Sequence, residues 1–220
     1  MAPEVNPVLI AAHSPVPGQD ATILMVTAYA FATDMGHAAE LLAPLEEAPG
    51  LGHAIMHRDA YPSSFDEQYA LLDQIYPEGF RYLTDNAWVR PREDALWQDA
   101  KWLFETLPSA RSHIVLAPWI PQTHQNAAFG LQSEMSFHVS AVYDDAADDP
   151  SMLDWHAEAM RRIDPHTNGG GKVNDNNLFS RPMAVLRPES AATLEQLRAT
   201  YDPEGRFDTY PCELPLARAG

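Results

Sequence analysis

The sequence predicts an α+β fold: a single domain with a mainly antiparallel sheet and helices packed on one face. Three observations point there. Apolar residues make up 45% of the 220, enough for a sizeable core. Segments with strand character are few and are mixed with longer segments of helical spacing. The run Gly169, Gly170 and Gly171 follows a helical segment and Pro165, not a strand, so the glycine-rich turn of a dinucleotide-binding parallel sheet is missing.

Each element follows from local pattern. Residues 1–20 hold Pro3, Pro7, Pro15 and Pro17 and read as an irregular arm, in which 8–12 add at most an edge strand. Residues 22–31 are β-rich and almost wholly apolar, as a central strand is. Residues 33–47 place Ala38, Leu41, Leu42 and Leu45 at helical spacing behind an N-cap at Thr33 or Asp34. Pro49 to Gly52 break that helix, and 53–58 read as a short extended piece. Residues 64–75 form a helix opened by the capping-box pair Ser64 and Glu67.

Residues 80–89 alternate as a strand. Residues 92–107 are a strongly amphipathic helix carrying Leu96, Trp97, Ala100, Leu103 and Phe104. Strands follow at 112–120 and 132–143, and Pro150 opens a helix over 149–163. Residues 166–188 read as loop. A last helix, 190–201, is closed by the turn sequence Asp202-Pro203-Glu204-Gly205.

Composition narrows the partners. Thirty-one acidic against 14 basic residues give a net charge of -17, which argues against nucleic acid and anionic membranes. The single cysteine, Cys212, builds no disulfide framework and has no cationic neighbour to activate it. The N-terminus shows no leader pattern, and the longest apolar run is too short for a membrane span, so a cytoplasmic protein is expected.

Chemistry is sought among the histidines and the strand faces. His53 and His57 have the spacing of a helical metal pair. In an extended segment their rings stand about 13 Å apart, too far to share one ion, and no metal is expected. Along 132–143, Met135, Phe137, Val139 and Ala141 point one way, while Glu134, Ser136, His138 and Ser140 point the other. The polar set lines either solvent or a pocket. In a pocket, Glu134 and His138 flank a small ligand without touching, and serve as base and acid. His113 and Trp119 share one face of 112–120, where Trp119 is a core residue or an aromatic wall. Tyr82, with Thr84 and Asn86, lines one face of 80–89. The glycine and asparagine loop from 167 to 177 is either a tight turn or a set of amides facing an anion.

Six landmarks in chain order carry a family resemblance. They are Leu41-Leu42-Ala43-Pro44-Leu45, then Tyr76-Pro77-Glu78-Gly79-Phe80-Arg81-Tyr82, Asn126-Ala127-Ala128-Phe129 and Asp154-Trp155-His156. The fifth is Gly171-Lys172-Val173-Asn174, and the most distinctive is the stretch from Leu197 through Tyr201-Asp202-Pro203 to Phe207. Together they resemble the C-terminal, substrate-binding domain of berberine-bridge-type FAD-linked oxidoreductases, in the vanillyl-alcohol-oxidase superfamily.

The resemblance implies an antiparallel sheet that roofs a cavity above a flavin ring, with the flavin held by a preceding domain that this sequence lacks. It divides the chain into an arm (1–20), a substrate-domain-like sheet (21–165) and a berberine-bridge-like segment (166–220). It singles out Asn174 as substrate-binding, beside Tyr82, His113 and Trp119. Lys172 and Val173 stand where the family carries an aromatic, which puts inherited chemistry in doubt. The chain alone is then expected to bind no cofactor, with FAD supplied by a partner chain and a small aromatic metabolite as substrate. Two other functions stand beside this one: a flavin-free cyclase, isomerase or lyase using the same cavity, and a non-catalytic binding or scaffold homodimer.

Overall fold

A computed structural model describes residues 2–121 and 131–208 of the chain. Five strands pair: β1 (Val5–His13), β2 (Thr22–Ala30), β3 (Arg81–Val89), β4 (His113–Pro118) and β5 (Met135–Tyr143). Their order is β2-β1-β4-β5-β3, and every pairing is antiparallel. The helices are α1 (Met35–Glu46), α2 (Phe65–Ile75), α3 (Asp94–Glu105), α4 (Asp149–Ile163) and α5 (Pro188–Tyr201). None among the described residues is long and apolar enough to cross a membrane.

One sheet face builds the core. Ala11, Ala87, Val89, Ile114, Leu116, Met135, Phe137 and Val139 pack on Leu96, Ala100 and Leu103 of α3 and on Ala159, Met160 and Ile163 of α4. Each large apolar side chain buried there contributes about 1.5–3 kcal/mol. The helix starts form as their sequences direct. Asp34 caps α1 by accepting from the His37 N–H at 2.9 Å, and Ser64 and Glu67 close the capping box of α2. Yet α1, α2 and α5 bury no residue fully.

Three expectations are corrected. The irregular arm is instead the nine-residue strand β1, inside the sheet between β2 and β4. Pro7 is tolerated because pairing with β4 begins only at Leu9, so its missing N–H breaks no bond on that side. The apolar strand β2, expected at the centre, is the outer strand, with Leu24 51% and Val26 55% exposed. Its hydrophobicity signals strand and not position: none of its residues joins the core that α3 and α4 build on the sheet. Third, the piece at 53–58 does not begin as an extended run: His53 closes the 3-10 turn Leu51–His53, the backbone extends at Ala54, and the His57 imidazole reaches Glu46 at 3.2 Å.

The segment after α4 turns across the other face of the sheet. The Trp88 N–H donates to the Gly170 carbonyl at 2.8 Å, and Gly171 N–H to the Ala184 carbonyl at 3.1 Å. The guanidinium of Arg181 grips the buried carboxylate of Asp85 at 2.8 and 3.0 Å. The two central glycines of the loop are required by this closeness. A Cβ on Gly170 would lie 2.5 Å from Leu131 Cδ1 and 2.8 Å from the Ala184 carbonyl oxygen. Gly170→Ala is therefore expected to lose about 1–3 kcal/mol of stability through overpacking. Urea denaturation checks it against Gly50→Ala, whose new methyl meets nothing within 4 Å.

Candidate functional site

The face opposite the α3–α4 layer is polar at its centre. Alternation puts Tyr82, Thr84, Asn86 and Trp88 of β3 on it, with Ser136, His138 and Ser140 of β5 and His113, Val115 and Ala117 of β4. Register places Asn86 and Val115 on either side of His138, and His113 beside Ser140. The two imidazoles are thus diagonal neighbours on adjacent strands. The Tyr76 ring stands edge-on to His113 at 5.4 Å. At one end, Tyr82, Leu83, Thr84, Asp175, Asn176 and Asn177 line an open cleft of about 360 Å³.

Hydrogen bonding fixes how these groups present themselves. His113 Nδ1 lies 3.0 Å from the Arg111 carbonyl, which only an N–H can satisfy, so Nε2 keeps its lone pair. That Nε2 is buried without a partner, as is the Trp88 Nε1–H. His138 Nε2 is 3.3 Å from Ser136 Oγ. Burial, then the Lys172 and His113 charges, push the His138 imidazole down to about 4, and burial lowers His113 as well. Both rings are neutral near pH 7, each keeping one nitrogen lone pair.

Asn86 organises the loop that overhangs the face. Its fully buried amide accepts from the Lys172 N–H at 2.6 Å and donates to the carbonyls of Lys172, Asn174 and Asp175. Asp175 adopts a left-handed backbone, φ 52°, within that cradle. Lys172 is thereby carried over the Trp88 ring, with Nζ 5.4 Å from its centre.

The structure brings together only part of the predicted site. His113 and His138 share the face. Glu134 precedes β5 and lies in a bidentate pair with the exposed Arg92, at 2.8 and 3.0 Å, which lowers its proton affinity. Tyr82 donates to the Pro77 carbonyl at 2.7 Å and walls the cleft. Trp119 sits at the rim, 36% exposed, its Nε1–H bound to Gln132 and its ring 6.2 Å from Trp88. The Asn174 side chain turns out to Asp175, so only its backbone carbonyl serves the cradle. Lys172, Trp88 and Tyr76 were not among the expected site residues, and Asn86 was expected only as a lining residue. The signal was an amide and an indole alternating on one strand face opposite His138. Residues 126–129 and Cys212 lie outside the described residues.

Comparison with known proteins agrees with this architecture. No protein-family profile matches the chain. The FAD-linked oxidoreductase janO of Penicillium janthinellum is 25% identical over 202 residues, covering 89% of this chain and 43% of that protein. The FAD-linked oxidoreductase nodO of Hypoxylon pulicicidum is 25% identical over 192 residues, 84% and 41% of the two. Among solved structures, 6-hydroxy-D-nicotine oxidase of Arthrobacter nicotinovorans superposes with a TM-score of 0.70 at 18% identity, over 94% of this chain and 47% of that one. The berberine bridge enzyme of Eschscholzia californica gives 0.70 at 13% identity, over 99% and 50%. The chain spans less than half the length of these curated relatives. It resembles part of a berberine-bridge-type FAD-linked oxidoreductase in sequence and shares the fold in structure.

Proposed function

We propose that the polar sheet face is the substrate-binding wall of an FAD-linked oxidoreductase whose flavin is held by a separate chain. The observation that carries this reading is the pairing of a buried, unpartnered His113 Nε2 with the neutral His138 on one face of a fold shared with flavin oxidases. The groups on this face suit the ring side of a flavin and its substrate, not the phosphates. The arginines around it are already committed: Arg92 to Glu134, Arg181 to Asp85, and Arg111 to the Phe80 ring. A flavin held by the partner chain would supply the acceptor for the electrons removed from substrate. This chain's part is to orient the substrate against Tyr82 and Trp119 and to take up its proton at His138. Glu134, held by Arg92, shapes the rim.

A second reading follows from the same imidazoles. A neutral base beside the Lys172 ammonium is sufficient for isomerase or lyase chemistry without any flavin. One experiment separates the two. The tagged chain is recovered from its native cells and its absorption spectrum recorded with and without added FAD. A yellow complex whose flavin is bleached by substrate supports the first reading. A colourless protein that turns over its ligand supports the second, and a colourless protein that binds nothing at the face defeats both. In either reading His138→Ala lowers turnover by about 100-fold or more, whereas Glu134→Gln changes it far less.

A further inference from the structure

The face carries a cation, Lys172, that forms no ion pair among the described residues. The sequence has two lysines. Lys101 pairs with Glu105 along α3, whereas Lys172 has no ion pair among the described residues. Asp175 is near enough to favour its charge, yet burial dominates and lowers its proton affinity. A half-buried ammonium with no ion pair costs desolvation energy that an anionic ligand would offset. Its place is also fixed. The four hydrogen bonds of Asn86 hold the loop backbone, and the ammonium lies over Trp88 with its charge felt at His138. Beside it stand flat apolar surfaces, Trp88 and Trp119, 6.2 Å apart.

We propose that Lys172 binds an anionic oxygen of the ligand, so that the site takes a planar aromatic anion and rejects an organic cation. Trp88 and Trp119 supply the aromatic walls for that ligand. The proposal rests on the reading of this face as the ligand site. It assigns the substrate's charge, which the net acidity of the protein would have reversed.

The test uses the whole chain and three probes of one shape: benzoate, benzyl alcohol and benzylamine. Binding is followed by quenching of tryptophan fluorescence and by the imidazole proton resonances of His113 and His138. Benzoate is expected to bind best. Lys172→Gln weakens benzoate about tenfold or more, the scale of one charge-assisted hydrogen bond, while benzyl alcohol is unaffected and Lys172→Arg keeps the preference. A urea midpoint at pH 7 no lower than that of the wild type shows that the Gln variant is folded. Benzoate binding indifferent to Lys172→Gln, or benzylamine binding as well as benzoate, overturns the role of Lys172 and leaves the face as a ligand site. If no probe binds and both imidazole signals stay fixed, the face itself is the wrong site.

Discussion

Arg181→Met is expected to cost about 3–5 kcal/mol of stability, because it strands a charge inside the protein. Asp85 is 1% exposed, and both its oxygens are held by Arg181, at 2.8 and 3.0 Å. The same guanidinium donates to the Asn86 carbonyl at 2.5 Å and to Asp164 at 3.0 Å. It therefore pins the chain after the glycine loop onto β3, next to the residue that organises the ligand face. Removing it leaves Asp85 with no route to water. Asp85→Asn is expected to cost less, since Arg181 is partly exposed and keeps its bonds to Asp164 and Asn86. The double variant, Asp85→Asn with Arg181→Met, should recover much of the single Arg181 loss, because the buried charge is gone. Urea denaturation of the three variants decides it. An Arg181→Met loss below about 1 kcal/mol, typical of exposed pairs, means that the Asp85 carboxylate finds solvent.

The effect reaches the site through the loop. Gly170, Gly171 and Ala184 touch β3 directly, and Trp88 packs with Leu131 and Ala184. Once the Arg181 grip is lost, the amides of Lys172 and Gly171 should exchange faster with solvent than those of α4.

These two features differ in how far sequence reveals them. The α+β class, β3, β5, α3 and α4 were legible because each has a strong period: Leu96, Ala100 and Leu103 for a helix, Met135 to Ala141 for a strand. The capping box at Ser64 was legible because it is a local motif. The position of β2 was not. An apolar strand at an edge and one at the centre have the same local pattern, and only tertiary pairing separates them. Pro7 hid β1 because a proline is compatible with a strand wherever its missing N–H faces no partner. At the site, alternation placed His113 and His138 on strand faces that the sheet then joined. It could not show that Glu134 would be taken by Arg92, 42 residues away, or that Asp85 would be satisfied by Arg181, 96 residues away. Long-range ion pairs leave no periodic trace.

Acid sensitivity provides the second large effect. His113, His138 and His156 are all depressed by burial, His138 to about 4. In the unfolded chain each titrates near about 6.5. Below that pH the unfolded chain takes up protons that the folded one refuses, so stability is full above about pH 6.5 and falls as pH drops toward 4. For His138 the gap corresponds to about 3 kcal/mol, levelling off once the pH passes its folded value. The carboxylates act in a lower window. Glu158, held by Arg161 and Arg162, is lowered to about 2, and Asp149 is lowered by Tyr143 and Arg81. Their contributions are present above the ordinary carboxylate range and are lost only as pH falls further. His138→Gln is thus expected to flatten the stability profile between about pH 6.5 and 4 while leaving the steeper loss below it. Lys172→Gln should act on the same window from the other side. Relieved of the ammonium, His138 titrates higher, and less stability is lost before pH 4. Urea midpoints measured in steps across this range read both effects. A wild-type profile flat from 6.5 to 4 would mean that His138 is well hydrated.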